Sequence, residues 1–285
     1  MSNLAKRNLK IFFRDKGAVF FSLLSVLIII GLYALFLGDS MTSGNENVPG
    51  IEPLMGSWVV AGILAVVSMT STLGAFGTLV DDRAKKIEKD FAVSPLKRGS
   101  IAGGYILSAI AVGVIMSLAA LVVGEIYIVA CGGELLSIQN LLLTLGGILL
   151  SVLSSSSIML LLVSFFRSQS AYSAASILIG TLIGFLTGMY IPIGSLPAAV
   201  QTVVKCFPVS YSASYFRTVM MQQPMEVSFA NAPQSAVSEF KTELGVTFDW
   251  NGQQTTLTVC VIVMAVTAAI FFSLAMLSLS RKRKK

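Results

Sequence analysis

The chain has 285 residues, 55% of them hydrophobic and only 12% charged, against roughly 25% charged in soluble proteins. Its formal net charge of +6 is no nucleic-acid signature, because the basic residues flank long apolar runs, where they orient and anchor helices. No histidine is present and the three cysteines (Cys131, Cys206, Cys260) have no C-x-x-C spacing, which argues against a metal site, a redox site or histidine-based catalysis.

The mean hydropathy of +0.82 and repeated runs of some 20 apolar residues predict an all-α polytopic membrane protein, since about 20 helical residues cross a hydrocarbon core. The segment MSNLAKRNLKIFFRDKG comes first. Leu4, Ile11, Phe12 and Phe13 share one side of a helix while Lys6, Lys10 and Arg14 lie off it, the pattern of an interfacial helix with its basic heads toward lipid phosphates. The first apolar run is too long for a signal peptide, and no small-residue cleavage pattern follows it.

Six spans are expected, at about 17–37, 54–80, 101–130, 141–166, 171–194 and 256–279. Lys and Arg gather in the N-terminal segment, the connection 81–100, the short turn at Arg167 and the tail RKRKK, so the positive-inside rule places both termini in the cytoplasm. Span three carries Glu125, which lies near the outer surface by helical rise and reads as an interfacial, solvated carboxylate. Span four carries Ser151 and the run Ser154–Ser157, hydroxyls suited to bonding the preceding turn or a neighbouring helix. Span five has Ser176, Gly180, Gly184 and Gly188 at intervals of four, a ladder that admits close approach of a helix from the same or a second copy.

Residues 192–255 fall outside. The stretch IPIGSLPAAVQTVVKCFPVSYSASYFRTVM is too apolar for a free loop and too broken by Pro192, Pro197 and Pro208 for a span, which suggests two short helices dipping into the outer leaflet. Val237, Phe240 and Leu244 then recur at helical spacing, with Gly245 placed to end that helix. Cys131 and Cys206 share the outer side, where spacing of this kind favours free thiols over a disulfide.

No G-x-x-x-x-G-K-[ST] motif occurs, so the chain carries no P-loop of its own. The acidic residues Asp81, Asp82, Glu88 and Asp90 are interleaved with Arg83, Lys85, Lys86 and Lys89, a poor arrangement for Mg²⁺, which wants converging oxygens. A magnesium-dependent membrane transferase built on them is therefore the lesser alternative. An ion-coupled secondary transporter is the main rival, though it calls for ionisable residues deep in the spans.

LKIFFRDKGAVFF entering span one, VSPLKR before span three and IPIGSLP…FPVSY…FR before span six resemble, in this order, the permease subunit of ABC-2-type ABC transporters, relatives of the ABCG exporters. The resemblance runs along nearly the whole chain. It implies a cytoplasmic connecting helix at 1–16 and a six-helix transmembrane domain at 17–285. Within the latter it implies a coupling loop and helix at 81–100 between spans two and three, short re-entrant and extracellular helices at 192–255, and a basic cytoplasmic tail at 280–285. It further implies that Glu88, Phe91, Ser94, Pro95 and Leu96 dock on a separate ATP-binding subunit, which would hold ATP and Mg. Two permease copies, alike or related, would enclose a cavity lined by Met69, Thr70, Thr72 and Phe76 with Ile179, Ile183, Thr187 and Tyr190. Such an apolar lining with scattered hydroxyls suits a hydrophobic or amphipathic drug, toxin or peptide, exported across the plasma membrane of what looks like a bacterium.

Overall fold

The structure, a computed structural model, describes residues 2–37, 49–87 and 98–281. Helix α1 (Ser2–Arg14) is followed after Asp15 by α2 (Lys16–Leu32), which runs into a π-helical turn, Tyr33–Leu37. Then come α3 (Ile51–Ala84), α4 (Arg98–Ala130), α5 (Ile138–Val163) and α6 (Gln169–Leu186). After α6 come a 3-10 turn (Ile193–Ser195) and four short helices: α7 (Ala198–Cys206), α8 (Pro208–Met220), α9 (Gln222–Ser228) and α10 (Gln234–Glu243). A two-residue hairpin, β1 (Asp249–Trp250) with β2 (Gln253–Gln254), precedes α11 (Leu257–Arg281).

Five of these helices, α3, α4, α5, α6 and α11, are long and apolar enough to cross a membrane, and α2 is a shorter apolar helix. At 1.5 Å per residue the 34 residues of α3 reach about 51 Å, well beyond a hydrocarbon core of about 30 Å. Its apolar window is 83% buried, because it packs on α4, α5, α6 and α8 together. By contrast the windows of α6 and α11 are 17% and 22% buried. Ile177, Leu178 and Leu182 on α6, and Ile262, Ile270 and Leu277 on α11, point outward. Apolar side chains on an outer surface at this density are what lipid requires and water does not.

Helix α6 stops at Leu186, short of the expected 194. Gly188 takes φ +63°, and the Met189 and Gly188 amides donate to the carbonyls of Gly184 and Phe185. This is a Schellman cap, whose left-handed residue only glycine occupies cheaply. The chain then folds back so that the Tyr190 ring covers Gly184. The expected ladder therefore changes character. Gly188 terminates the helix, Gly184 is already occupied, and the Ser176 hydroxyl donates to the Tyr172 carbonyl. Gly180 alone of the four faces open space.

The segment after α6 is richer than the sequence suggests. Helix α8, with Pro208 at its first turn, is buried from Val209 to Arg217 against α3, α5 and α11, packed on protein as a broken helix requires, whereas α7 buries only Val204. Helix α10 ends on Gly245 as its spacing predicts, with φ +64° and Val246 donating to the Lys241 carbonyl. The hairpin turns on Asn251 and Gly252, both at positive φ, the strongest short hairpin signal there is.

Other expectations are modified. Of the serines on α5 only Ser157 bonds back, to the Ser154 carbonyl at 2.6 Å. The hydroxyls of Ser151, Ser154, Ser155 and Ser156 are buried without a partner among the described residues, so these residues serve by being small. Glu125 is half-buried and accepts from the Leu136 amide at 3.2 Å, pinning the α4–α5 turn where free solvation was expected. Cys131, Cys206 and Cys260 are all free thiols.

Candidate functional site

Two clusters of polar side chains stand at opposite ends of α3. At the first, Arg7 of α1 reaches Asp82 through two bonds, Nη1 to Oδ2 at 2.6 Å and Nη2 to Oδ1 at 3.0 Å. The Tyr105 hydroxyl of α4 donates to the same Oδ2 at 2.5 Å. The Asp82 side chain is 6% exposed and that of Arg7 34%, so the carboxylate is the buried partner. A bidentate guanidinium–carboxylate pair is among the stronger polar contacts available, and the hydrogen bond from Arg7 to Asp82 holds the Arg7 pKa above its ordinary value.

Around this pair α1 is seated by shape. Leu4 lies over Gly104, where a Cβ would come within 3.0 Å of the Leu4 Cβ, and Phe12 lies over Gly74. The buried face of α1 is Leu4, Ala5 and Asn8, flanked by Phe12. The sequence reading needs correction here: Ile11 points outward at 40% exposure, and Arg7, which that reading left out, turns inward. Nearby, Arg83 donates to the Val163 carbonyl at the end of α5 at 3.2 Å, a cation on a helix C-terminus. Among the described residues Asp81 pairs with Lys85, at 3.4 Å and in the open. Asp81 and Asp82 thus have separate duties and do not converge.

The expected docking residues Glu88, Phe91, Ser94, Pro95 and Leu96 lie outside the described residues. Their flanks are described: α3 ends at Ala84, Lys86 has φ +61°, and α4 begins at Arg98. The cluster of Arg7, Asp82 and Tyr105 therefore sits at the root of that loop.

At the other end of α3, Arg217 of α8 is fully buried and forms no salt bridge among the described residues. Its Nη2 donates to the Gly188 carbonyl at 2.9 Å and its Nη1 approaches the Gly245 carbonyl at 3.5 Å. Both acceptors are the capping glycines described above, so two helix C-termini, each carrying partial negative charge, converge on one guanidinium. Arg217 also lies 4.7 Å from the centroid of the Trp58 ring, a cation–π contact. Burial pulls its pKa below the ordinary arginine value, yet a guanidinium stays protonated at neutral pH. Two neighbours complete the tie. Trp58 Nε1 donates to the Leu244 carbonyl at 2.8 Å, and the Tyr33 hydroxyl to that of Met189 at 3.0 Å. These ends of α2, α3, α6 and α10 are thereby joined.

Trp58 and Tyr33 were not singled out in the sequence, and Arg217 entered only as the last residue of the FPVSY…FR pattern. A usable signal existed for Arg217, the one cation inside the apolar stretch VSYSASYFRTVM, since such a charge is costly unless partnered.

The expected cavity residues are dispersed. Met69, Thr72, Phe76, Ile183 and Thr187 are buried within the subunit. Thr72 bonds back to Ser68 and Met69, and Thr187 to Ile183. Thr70 and Ile179 are half-buried and Tyr190 is exposed, its ring edge-on to Phe185 at 5.2 Å.

An all-helical chain with five bilayer-length apolar helices among its described residues is a multi-pass membrane protein. Its family follows from a family model described as ABC-2 family transporter protein, which matches residues 50–277: the chain belongs to the ABC-2 transporter family, as a membrane component that is not itself catalytic. No curated protein matches it.

Proposed function

We propose that this chain is the permease subunit of an ATP-driven exporter that moves a hydrophobic or amphipathic molecule (a drug, toxin or peptide) out of a bacterial cell. A separate ATP-binding subunit, carrying ATP and Mg, docks on the loop 81–100 through Glu88, Phe91, Ser94, Pro95 and Leu96. The helix α2 with its π turn is the sixth span, which puts both termini in the cytoplasm. Two copies, identical or related, meet along the exposed flank of α6 around Gly180. The substrate path follows α3 and α6, with Thr70, Ile179 and Tyr190 as the best-placed of the eight lining residues.

The observation that carries this reading is the family match together with the cluster of Arg7, Asp82 and Tyr105 at the root of the loop. A force applied to residues 81–100 reaches α1, α3 and α4 at once through that cluster. A short apolar knob of Phe91, Val93 and Leu96 beside charges suits a groove on a partner. The test is to purify the chain from its native membrane in mild detergent and determine whether an ATP-binding subunit accompanies it in a one-to-one ratio. Phe91→Glu with Leu96→Glu should strip that subunit while leaving the permease folded. A chain that emerges alone and folded refutes the reading.

A further inference from the structure

The outward side of α1 carries an open groove of about 380 Å³ lined by Asn3, Lys6, Arg7, Lys10, Ile11 and Arg14. Lys6, Lys10 and Arg14 recur every four residues, are all exposed, and make no ion pair among the described residues. Arg7, already paired with Asp82, lies beside them, so three exposed cations share one face of the helix at i,i+4 spacing, a like-charge arrangement that an anion between them would relieve. We propose that this groove seats the phosphate headgroup of an anionic phospholipid, and that the bound headgroup helps to hold α1 in its seat on Asp82.

Two observations select a lipid over other anions, and a third links the groove to the seat of α1. Helix α1 is one residue, Asp15, away from α2, whose Phe20, Leu27, Ile28 and Leu32 point outward, so the groove stands where the lipid-facing surface begins. Ile11, 40% exposed, lies among the cations, and Leu9 and Phe13 are half-buried beside them. An apolar element next to fixed positive charge matches the join between headgroup and acyl chain, the depth at which basic interfacial segments meet anionic lipid. Arg7 lines the groove and also binds Asp82, so charge neutralised in the groove is felt directly at the seat. The inference rests on the proposed placement of α1 at the cytoplasmic interface, but not on any ATP-binding subunit.

The test uses the full chain in phosphatidylcholine nanodiscs containing spin-labelled phosphatidylglycerol or spin-labelled phosphatidylcholine, reading the motionally restricted fraction of each. The wild type should prefer phosphatidylglycerol. Lys6→Gln with Lys10→Gln and Arg14→Gln should weaken that preference by about tenfold or more, given the contribution of each surface cation. Lys6→Arg with Lys10→Arg should keep it and serves as the folded control. The same number of charges removed from the tail (Lys282→Gln, Lys284→Gln, Lys285→Gln) should leave it largely intact, and millimolar inorganic phosphate should not displace the lipid. The proposal is overturned if the wild type shows no preference or if the tail variant loses as much as the groove variant. It is equally overturned if the groove variant keeps its lipid preference but loses a co-purifying ATP-binding subunit, which would assign the groove to a protein partner. Failure of the coupling-loop test with the lipid preference intact would instead count against the proposed function alone.

Discussion

Arg7 and Arg217 sit at opposite ends of α3 and solve the same problem in different ways. Arg7 is partly in water and meets a buried carboxylate; Arg217 is wholly buried and, among the described residues, is held by carbonyl oxygens and an indole face. In the first pair the vulnerable member is the acid, because Arg7 can turn to solvent and Asp82 cannot. In the second the arginine is itself the vulnerable charge, and backbone geometry, fixed by two left-handed glycines, supplies its compensation. The lesson is that an ion pair can be undone and rebalanced by side chains, whereas a charge held by helix ends depends on the fold around it.

The largest expected effect separates the two members of the inner pair. Arg7→Met strands the Asp82 carboxylate beside Tyr105 and should cost about 3 kcal/mol, in line with breaking buried pairs from one side. Asp82→Asn alone should cost roughly 1 kcal/mol, since Arg7 regains water, and adding it to Arg7→Met should recover much of the loss. Thermal unfolding of the four proteins in nanodiscs reads this cycle; equal costs for the two single variants would contradict the assignment of Asp82 as the buried partner.

At the other end Arg217→Met should cost about 2 kcal/mol by leaving the carbonyls of Gly188 and Gly245 bare. No acidic-residue substitution is available to rebalance it. Arg217→Lys should be no milder, because a point charge cannot span two acceptors as a planar fork does. A lysine variant as stable as the wild type would count against the two-carbonyl account. Next in size is Gly104→Ala, at roughly 1–2 kcal/mol from overpacking Leu4, and Leu4→Ala in the same chain should relieve it. Smallest is Lys85→Ala, which removes an exposed pair with Asp81 and should move stability by less than about 0.5 kcal/mol.

Hydropathy made the apolar helices legible because their signal is local and repeats over many residues. The amphipathic α1 was visible for the same reason, though its exact face was not: Arg7 looks like one more basic residue until its partner 75 positions away is known. Asp82 was hidden for the complementary reason, as one acid among several charges. Gly245 was read correctly from spacing, whereas Asn251–Gly252 carried an equally plain hairpin signal whose two-residue strands are too short to show an alternating pattern. The Arg217 site had the least local trace, since its acceptors are backbone atoms and any residue supplies a carbonyl. The coupling-loop residues and the pairing of copies depend on partners that a single chain does not contain.

The contrast in burial between α3 and α6 has a consequence for hydrogen exchange. Backbone amides in the middle of α3, enclosed by neighbours on every side, can meet solvent deuterium only when the whole domain comes apart. Helix α6 rests chiefly on α3, pinned near one end by the Tyr172 hydroxyl on the Leu73 carbonyl and at the other by the Ser210 hydroxyl on that of Leu186. Its opening is a sub-global event with a lower free energy. Exchange protection should therefore fall sharply from α3 to α6 at similar depth, making α6 the element free to shift while the rest of the domain stays folded.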